Sequence, residues 1–275
     1  MTLKKHLNEF SVFGNPINHT KSPYIHQLFS IQTNIVHNYD YTFVPINKFH
    51  TCVINFFSSI GIGANVTIPF KEEAFLISDT LTKHAQFSRS VNTLKKLKNG
   101  KIIGDNTDGR GILYDLRRLK FIKSCDNVLV IGSGGAARGI IFSLLSYGCN
   151  IFVFNRTIDR AKKLVSYFKK FGSIFHILDI DYKNIKFNVV INTIANIKSN
   201  NFWNTIASLI KKNVYCYDIN YSEKNNYTTF LSWCKKQGAL FLSDGIGMLV
   251  SQAAYSFLFW HGIFPKIEPV ILRFR

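Results

Sequence analysis

The sequence predicts an α/β protein of two domains, the second of them a doubly wound parallel sheet. Three observations lead there. Apolar, strand-like segments alternate with helical patterns along most of the chain. A glycine-rich turn at residues 132–137 joins an apolar strand to a helix. The 275 residues, 47% of them hydrophobic, suffice for two buried cores.

The first half reads as follows. Residues 10–13 form a strand that stops at Gly14-Asn15-Pro16. Ser22-Pro23 opens a helix, with Ser22 as N-cap and Pro23 at the first position. Residues 39–44 are a strand, 47–60 a helix and 64–68 a short strand closed by Pro69. Segments 91–96 and 101–104 flank Asn99-Gly100, a strong hairpin turn. A glycine-rich loop at 105–111 then precedes a helix at 112–119 and marks a domain boundary.

The second half has strand-like segments at 127–131, 151–154, 174–177, 188–191, 214–219 and 239–242, with helical patterns between most of them. Such a rhythm implies right-handed crossovers and a sheet covered on both faces. Residues 245–265 carry no formal charge and are long enough to span a bilayer. Ser251, Gln252, Ser256 and His261 interrupt the run, so a buried or amphipathic helix is the better reading.

The formal net charge of +18 can signal a nucleic-acid partner. Here the basic residues are scattered in pairs, with no long basic tract, and the lysines accompany many Asn, Ile, Phe and Tyr. Compositional drift accounts for that pattern, and neither a nucleic-acid nor a membrane partner is expected. The five cysteines are odd in number and never form a C-x-x-C pair. Free thiols in a reducing cytoplasm are therefore expected, with no disulfide framework and no metal site.

The turn after residue 131 has the pattern G-x-G-x-x-A, carried by Gly132, Gly134 and Ala137. The first glycine permits the tight turn, the second lets the backbone approach a pyrophosphate, and the small alanine lets helix and strand pack closely. Helix N-terminal amides then face the phosphates. The alternative is a glycine turn that merely packs. At the end of the next strand stand Asn155, Arg156 and Thr157, followed by Arg160, where an NAD site usually has a carboxylate. Two guanidinium groups suit a 2′-phosphate, so the expected cofactor is NADP.

Polar residues also gather at predicted strand ends in the first half. Thr20 and Ser22 sit beside a helix start, Asn65 and Thr67 share one face of a strand, Lys71 follows Pro69, and Asn92 and Asp108 lie in turns. Singly, each reads as a cap, a turn former or a surface lysine. Together they offer hydroxyls, amides, an ammonium and a carboxylate, a set suited to a small polyhydroxylated acid.

The segments VFGNPINHTKSP at 12–23, GANVTIPFK at 63–71, VNT at 91–93, GDNTDG at 104–109 and DGIGMLVSQ at 244–252 together resemble shikimate dehydrogenases. The resemblance runs nearly end to end. It implies reversible NADPH-dependent reduction of 3-dehydroshikimate to shikimate, a step toward aromatic amino acids. It implies a substrate domain of residues 1–107 plus 245–275 and a Rossmann-type NADP domain of 108–244, with a cleft between them. Thr20, Ser22 and Tyr221 would bind the substrate carboxylate. Asn65, Thr67, Asn92 and Gln252 would hold ring hydroxyls, and Lys71 with Asp108 would be the catalytic pair, the proton donor between them left open. Gly132, Ser133, Gly134, Gly135, Ala136 and Ala137 would bind the pyrophosphate. Asn155, Arg156, Thr157 and Arg160 would take the adenosine end, with Ile219 and Gly245 near the nicotinamide.

Two departures stand out. Thr20 occupies a position that is most often Ser in the family, and residues 192–196 replace a more Ser/Gly-rich loop. A monomer or a homodimer is expected. The rival readings are a relaxed NAD-using quinate/shikimate dehydrogenase, a regulator that binds NADP without turnover, and nucleic-acid binding driven by the +18 charge.

Overall fold

The computed structural model describes residues 9–195, 201–222 and 227–274. Two compact units emerge: Met1–Gly111 with Leu249–Phe274, and Ile112–Met248. These boundaries fall four residues after those expected at 107 and 244. Side-chain bonding explains the shift. Asp108 is tied to Lys71 and Asn92 of the first unit, whereas the Met248 amide donates to Tyr217 of the second.

The first unit holds a six-stranded mixed sheet of β1 (Phe10–Gly14), β2 (Tyr39–Phe43), β3 (Gly63–Val66), β4 (Thr80–Leu81), β5 (Thr93–Lys96) and β6 (Ile102–Asp105), in the order β2-β1-β3-β5-β6-β4. β1 pairs in parallel with β2 and β3, while β5 runs antiparallel to β3 and β6. The β5–β6 hairpin turns where Asn99-Gly100 predicts, and Gly100 has φ +82°, a value glycine adopts freely. Helices α1 (Ser22–Thr33), α2 (Phe49–Ser58), α3 (Lys71–Ile77) and α4 (Lys83–Ser88) complete the connections. Phe13, Phe49, Val66, Phe70 and Leu94 belong to one buried cluster.

Two expectations need correction here. Ser22 is the first helical residue rather than the N-cap, because Lys21 already has helical dihedrals. Thr20 takes over part of the capping, since its hydroxyl oxygen accepts the Ser22 amide at 3.3 Å. The helix expected at 112–119 begins earlier, as α5 (Asp108–Arg118). Gly109 and Gly111 suggest a loop in sequence, but a Cβ at Gly111 would lie 2.8 Å from the Gln252 backbone nitrogen. Gly111 is therefore a close-packing helical glycine, not a flexible one.

The second unit is a six-stranded, fully parallel sheet of β7 (Asn127–Ile131), β8 (Asn150–Phe154), β9 (Ile174–His176), β10 (Val189–Asn192), β11 (Tyr215–Asp218) and β12 (Phe241–Ser243). Its order, β12-β11-β10-β7-β8-β9, is that of a doubly wound dinucleotide fold. Alternation along β7 explains why both faces are covered: Val128 and Val130 join one buried cluster, Leu129 and Ile131 another. Helices α6 (Gly135–Ser146), α7 (Ile158–Phe168), α8 (Asn201–Asn204) and α9 (Thr229–Lys236) follow in order, and α10 (Ile246–His261) starts in this unit with the rest of its length assigned to the first. Among the described residues no helix is long and apolar enough to cross a membrane. The uncharged run at 245–265 contains α10, whose Val250, Ala253, Ala254 and Phe257 are buried.

A buried polar knot fixes the start of α10. Asp115 is fully buried, accepts Arg118 Nε and Nη2 at 2.8 and 2.6 Å, and accepts the Tyr217 hydroxyl at 2.7 Å. The Tyr217 oxygen in turn accepts the Met248 amide at 3.2 Å, one of the donors a helix start leaves unpaired. A Cβ at Gly247 would meet the Asp115 carboxylate at 2.0 Å. Asp115→Ala is expected to cost about 2 kcal/mol in a urea titration, below the full penalty of a broken buried pair because the Arg118 side chain, 21% exposed, regains water.

Candidate active site

Four elements of the first unit place one polar side chain each into a single network. Lys71 is the first residue of α3 and Asp108 the first of α5. Their side chains meet at 2.6 Å, Lys71 Nζ to Asp108 Oδ2, with side-chain exposures of 20% and 6%. Asn92, just ahead of β5, donates to Asp108 Oδ1 at 2.8 Å and to Gln252 Oε1 at 3.3 Å. Its side-chain oxygen, Oδ1, accepts the Thr107 amide at 2.9 Å. Both Asp108 oxygens are thus engaged, and its backbone amide donates to Asn106 Oδ1 at 3.0 Å. The carboxylate also stands at the N-terminus of α5, where the helix dipole favours negative charge. Lys71 spends one of its three N–H donors on Asp108 and is the more exposed partner.

Of the remaining predicted side chains of this unit, Asn65 joins the same network, while Thr20, Ser22 and Thr67 make contacts outside it. Asn65, on β3, is buried. Its amide donates to the Asn92 carbonyl, Thr93 Oγ1 and Ser256 Oγ at 3.0–3.1 Å, and its oxygen accepts the Tyr39 hydroxyl at 2.7 Å. Thr20 and Ser22 are joined by a 3.2 Å hydroxyl bond. Thr67 lies just past the end of β3 and packs over Gly14, where a Cβ would come within 2.5 Å of its methyl group. Sequence reasoning missed Thr107, Ser256 and Tyr39. Thr107 sits inside the GDNTDG motif, and Ser256 follows Gln252 by one helical turn, so both carried a signal. Tyr39 carried none beyond its place on a strand.

In the second unit the turn after β7 has the geometry that a dinucleotide needs. Gly132 has φ +117°, and its amide donates to the Phe154 carbonyl at 2.8 Å, which ties the turn to β8. A Cβ there would come within 2.3 Å of Thr193 Oγ1. Gly134 caps α6, and a Cβ on Gly134 or Gly135 would meet nothing within 4 Å. Protein packing thus gives no reason for these two glycines; an approaching phosphate does. Ser133 and Ala136 are half-buried beside them, and Ala137 is buried against the sheet. After β8, Asn155 is half-buried and donates to the Thr157 carbonyl at 2.9 Å, while Arg156, Thr157 and Arg160 are exposed. The acid Asp159 lies within the first turn of α7 rather than at the strand end. These residues fit NADP.

Ile219 and Gly245 are brought together: a Cβ on Gly245 would lie 2.0 Å from the Ile219 carbonyl oxygen. A cavity of about 570 Å³ in this unit is lined by Asn192, Ile194, Asp218, Ile219 and Tyr221, among others. Asp218, buried beneath it, accepts bonds from Asn192, Asn220 and Thr228, and burial raises its carboxyl pKa above the ordinary value. Asn196, the last residue of the departing loop, lies outside the described residues.

One chain that holds both a mixed-sheet unit with a Lys–Asp pair and a doubly wound unit with an NADP turn defines the class as a nicotinamide-dependent oxidoreductase. The comparisons make that specific. Residues 12–94 match the shikimate dehydrogenase substrate-binding domain, and residues 117–210 match shikimate/quinate 5-dehydrogenase. The chain is 59% identical over 273 residues to the shikimate dehydrogenase (NADP(+)) of Buchnera aphidicola subsp. Baizongia pistaciae, covering 98% of this chain and 97% of that one. Shikimate dehydrogenase from Aquifex aeolicus superposes with a TM-score of 0.84 at 29% identity, covering 99% and 98%. The Thermus thermophilus enzyme, solved with NADP(H) and shikimate, gives 0.80 at 25% identity, covering 97% and 99%. The chain belongs to the shikimate dehydrogenase family.

Proposed function

We propose that the chain catalyses the reversible NADPH-dependent reduction of 3-dehydroshikimate to shikimate in aromatic amino acid biosynthesis. The observation that carries this reading is the 2.6 Å Lys71–Asp108 pair, locked through Asn92 to Gln252. Bound at the Gly132–Ala137 turn, NADPH supplies the hydride. Reduction of a ketone builds negative charge on its oxygen, and a positioned ammonium both stabilises that charge and gives the proton. Lys71 is the donor, because it has N–H bonds to spare and is the more exposed member of the pair. Asp108, with both oxygens engaged, orients the ammonium and completes the contact to a ring hydroxyl. Thr20 and Ser22 take the substrate carboxylate, helped by Tyr221. Asn65, Thr67, Asn92 and Gln252 read the ring hydroxyls. The five cysteines are free thiols, which supports a reducing, cytoplasmic location.

The deciding assay is absorbance of NADPH formed from shikimate and NADP, repeated with quinate and with NAD. Turnover confined to quinate and NAD would replace this reading with the relaxed quinate enzyme. Absence of any turnover would replace it with a nucleotide-binding regulator. Arg156→Ala is expected to raise KM for NADP by about tenfold while leaving KM for NAD unchanged, since only the 2′-phosphate needs the guanidinium.

A further inference from the structure

Three histidines that the reaction does not use form an unbroken file in the first unit. His26 lies one turn after Ser22 in α1, His37 lies between α1 and β2, and His261 ends α10. His26 Nδ1 is 3.1 Å from His37 Nε2, and His37 Nδ1 is 3.0 Å from His261 Nε2. The inner ring is fully buried and stacks on Tyr39 at 4.1 Å and 14°. Its remaining nitrogen, Nε2, has no hydrogen-bond partner, and Asn65 is the polar side chain that faces it. The outer ring is half-buried.

The surroundings keep the file uncharged. Phe10, Phe257 and Trp260 pack around His37, with centroids 4.1–5.6 Å away. Among the described residues the charged group that faces the file is Lys95 of β5, which stands beside His261 and donates to the Phe259 and Trp260 carbonyls. Tyr39 of β2 is the other titratable group in contact. Burial lowers all three imidazole pKa values, that of His37 to about 3.

A neutral imidazole carries one N–H and one lone pair. Three such rings joined by two bonds have only two complete arrangements, both head to tail. In one, His26 Nε2 carries the proton; in the other it offers a lone pair and the proton sits on His261 Nδ1. We propose that the file is a proton-ordering relay in which the state of His261 sets whether His26 presents a donor beneath Tyr39 and Asn65. His26, His37 and His261 are then positioning residues for substrate, a role that rests on Ser22 and Asn65 holding it.

The sign follows from the linkage. Protonated His261 has both N–H groups, must donate to His37, and so forces the donor-inward order. Asn65 Oδ1, which already accepts the Tyr39 hydroxyl, then accepts a second bond, and the added positive charge favours an anionic substrate. Because burial, and then Lys95, hold the His261 imidazole below the ordinary histidine range, KM for shikimate is lowest under acid conditions and rises about threefold as the pH increases through the His261 transition. The kcat and KM for NADP do not follow this change. In His261→Gln, a carboxamide that does not titrate replaces the imidazole, which flattens the KM profile. Tautomer states read from nitrogen-15 shifts of labelled histidine test the ordering itself, without substrate. His26 and His37 switch together as His261 titrates, and stay fixed in His261→Gln. Tautomers that ignore His261, or a variant KM profile that overlays the wild type, would overturn the relay. Ser22→Ala, run alongside, should raise KM for shikimate. If it does not, the substrate reading fails while the tautomer shifts still decide the relay.

Discussion

Lys71→Ala is expected to lower kcat for shikimate oxidation by about 10²–10⁴-fold, the range for removal of a positioned acid–base group. The KM for NADP and the thermal midpoint stay near wild type. The split follows from where the side chain sits. Lys71 begins a short helix and is partly exposed, so its loss opens no core cavity. Asp108 loses its cation but keeps the Asn92 donor and its place at the start of α5. Asp108→Asn preserves shape and removes charge; it lowers kcat as well, since Lys71 is no longer held by an opposite charge. Near-normal turnover in both variants, with the fold intact, would remove these residues from the chemistry.

Gly132→Ala acts on stability and cofactor together. The backbone at φ +117° disfavours any side chain, and the new Cβ would meet Thr193 Oγ1 at 2.3 Å. Thr193 has little room to retreat, because its hydroxyl donates to the Ile131 carbonyl at 2.8 Å. Backbone strain and overpacking together amount to about 3 kcal/mol, a large share of a domain's stability. Urea unfolding measures that loss, and KM for NADP rises at least about tenfold as the turn deforms. Gly134→Val is the informative contrast. A Cβ there meets nothing within 4 Å, so unfolding changes by no more than the roughly 1 kcal/mol of a poorer N-cap while NADP affinity falls. Loss of stability in Gly134→Val with affinity retained would mean that the turn is a packing device.

Eleven of the twelve strands among the described residues were legible, most of them as apolar runs bounded by Gly, Asn or Pro, and the structure shifts their ends by only a residue or two; the two-residue β4 is too short to leave a pattern. The dinucleotide turn was legible because its residues are consecutive. What stayed hidden depends on partners far along the chain. Gly111 resembles a loop glycine until the Gln252 backbone is seen against it. Ser22 resembles an N-cap until Lys21 proves helical. Asp115 is an acid in a helix, which in sequence reads as a solvated face; only the fold buries it against Tyr217. The histidine file has no spacing to recognise, since its members come from a helix, a connection and the end of another helix. Lys71 and Asp108 were named by resemblance, and their contact is a product of folding.

The discontinuous first unit sets an order of events during synthesis. The segment Ile112–Met248 is continuous and contains every strand of its parallel sheet, so that sheet needs nothing from residues 249–274. The first unit cannot close without them. Trp260 must arrive to donate to the Leu94 carbonyl and to fill the space over Gly63, and Ser256 must arrive to satisfy Asn65 and Thr93. Until the last stretch emerges, β3 and β5 expose an unfinished aromatic and polar interior. Residues 249–274 are thus what the first unit needs from beyond the second in order to close.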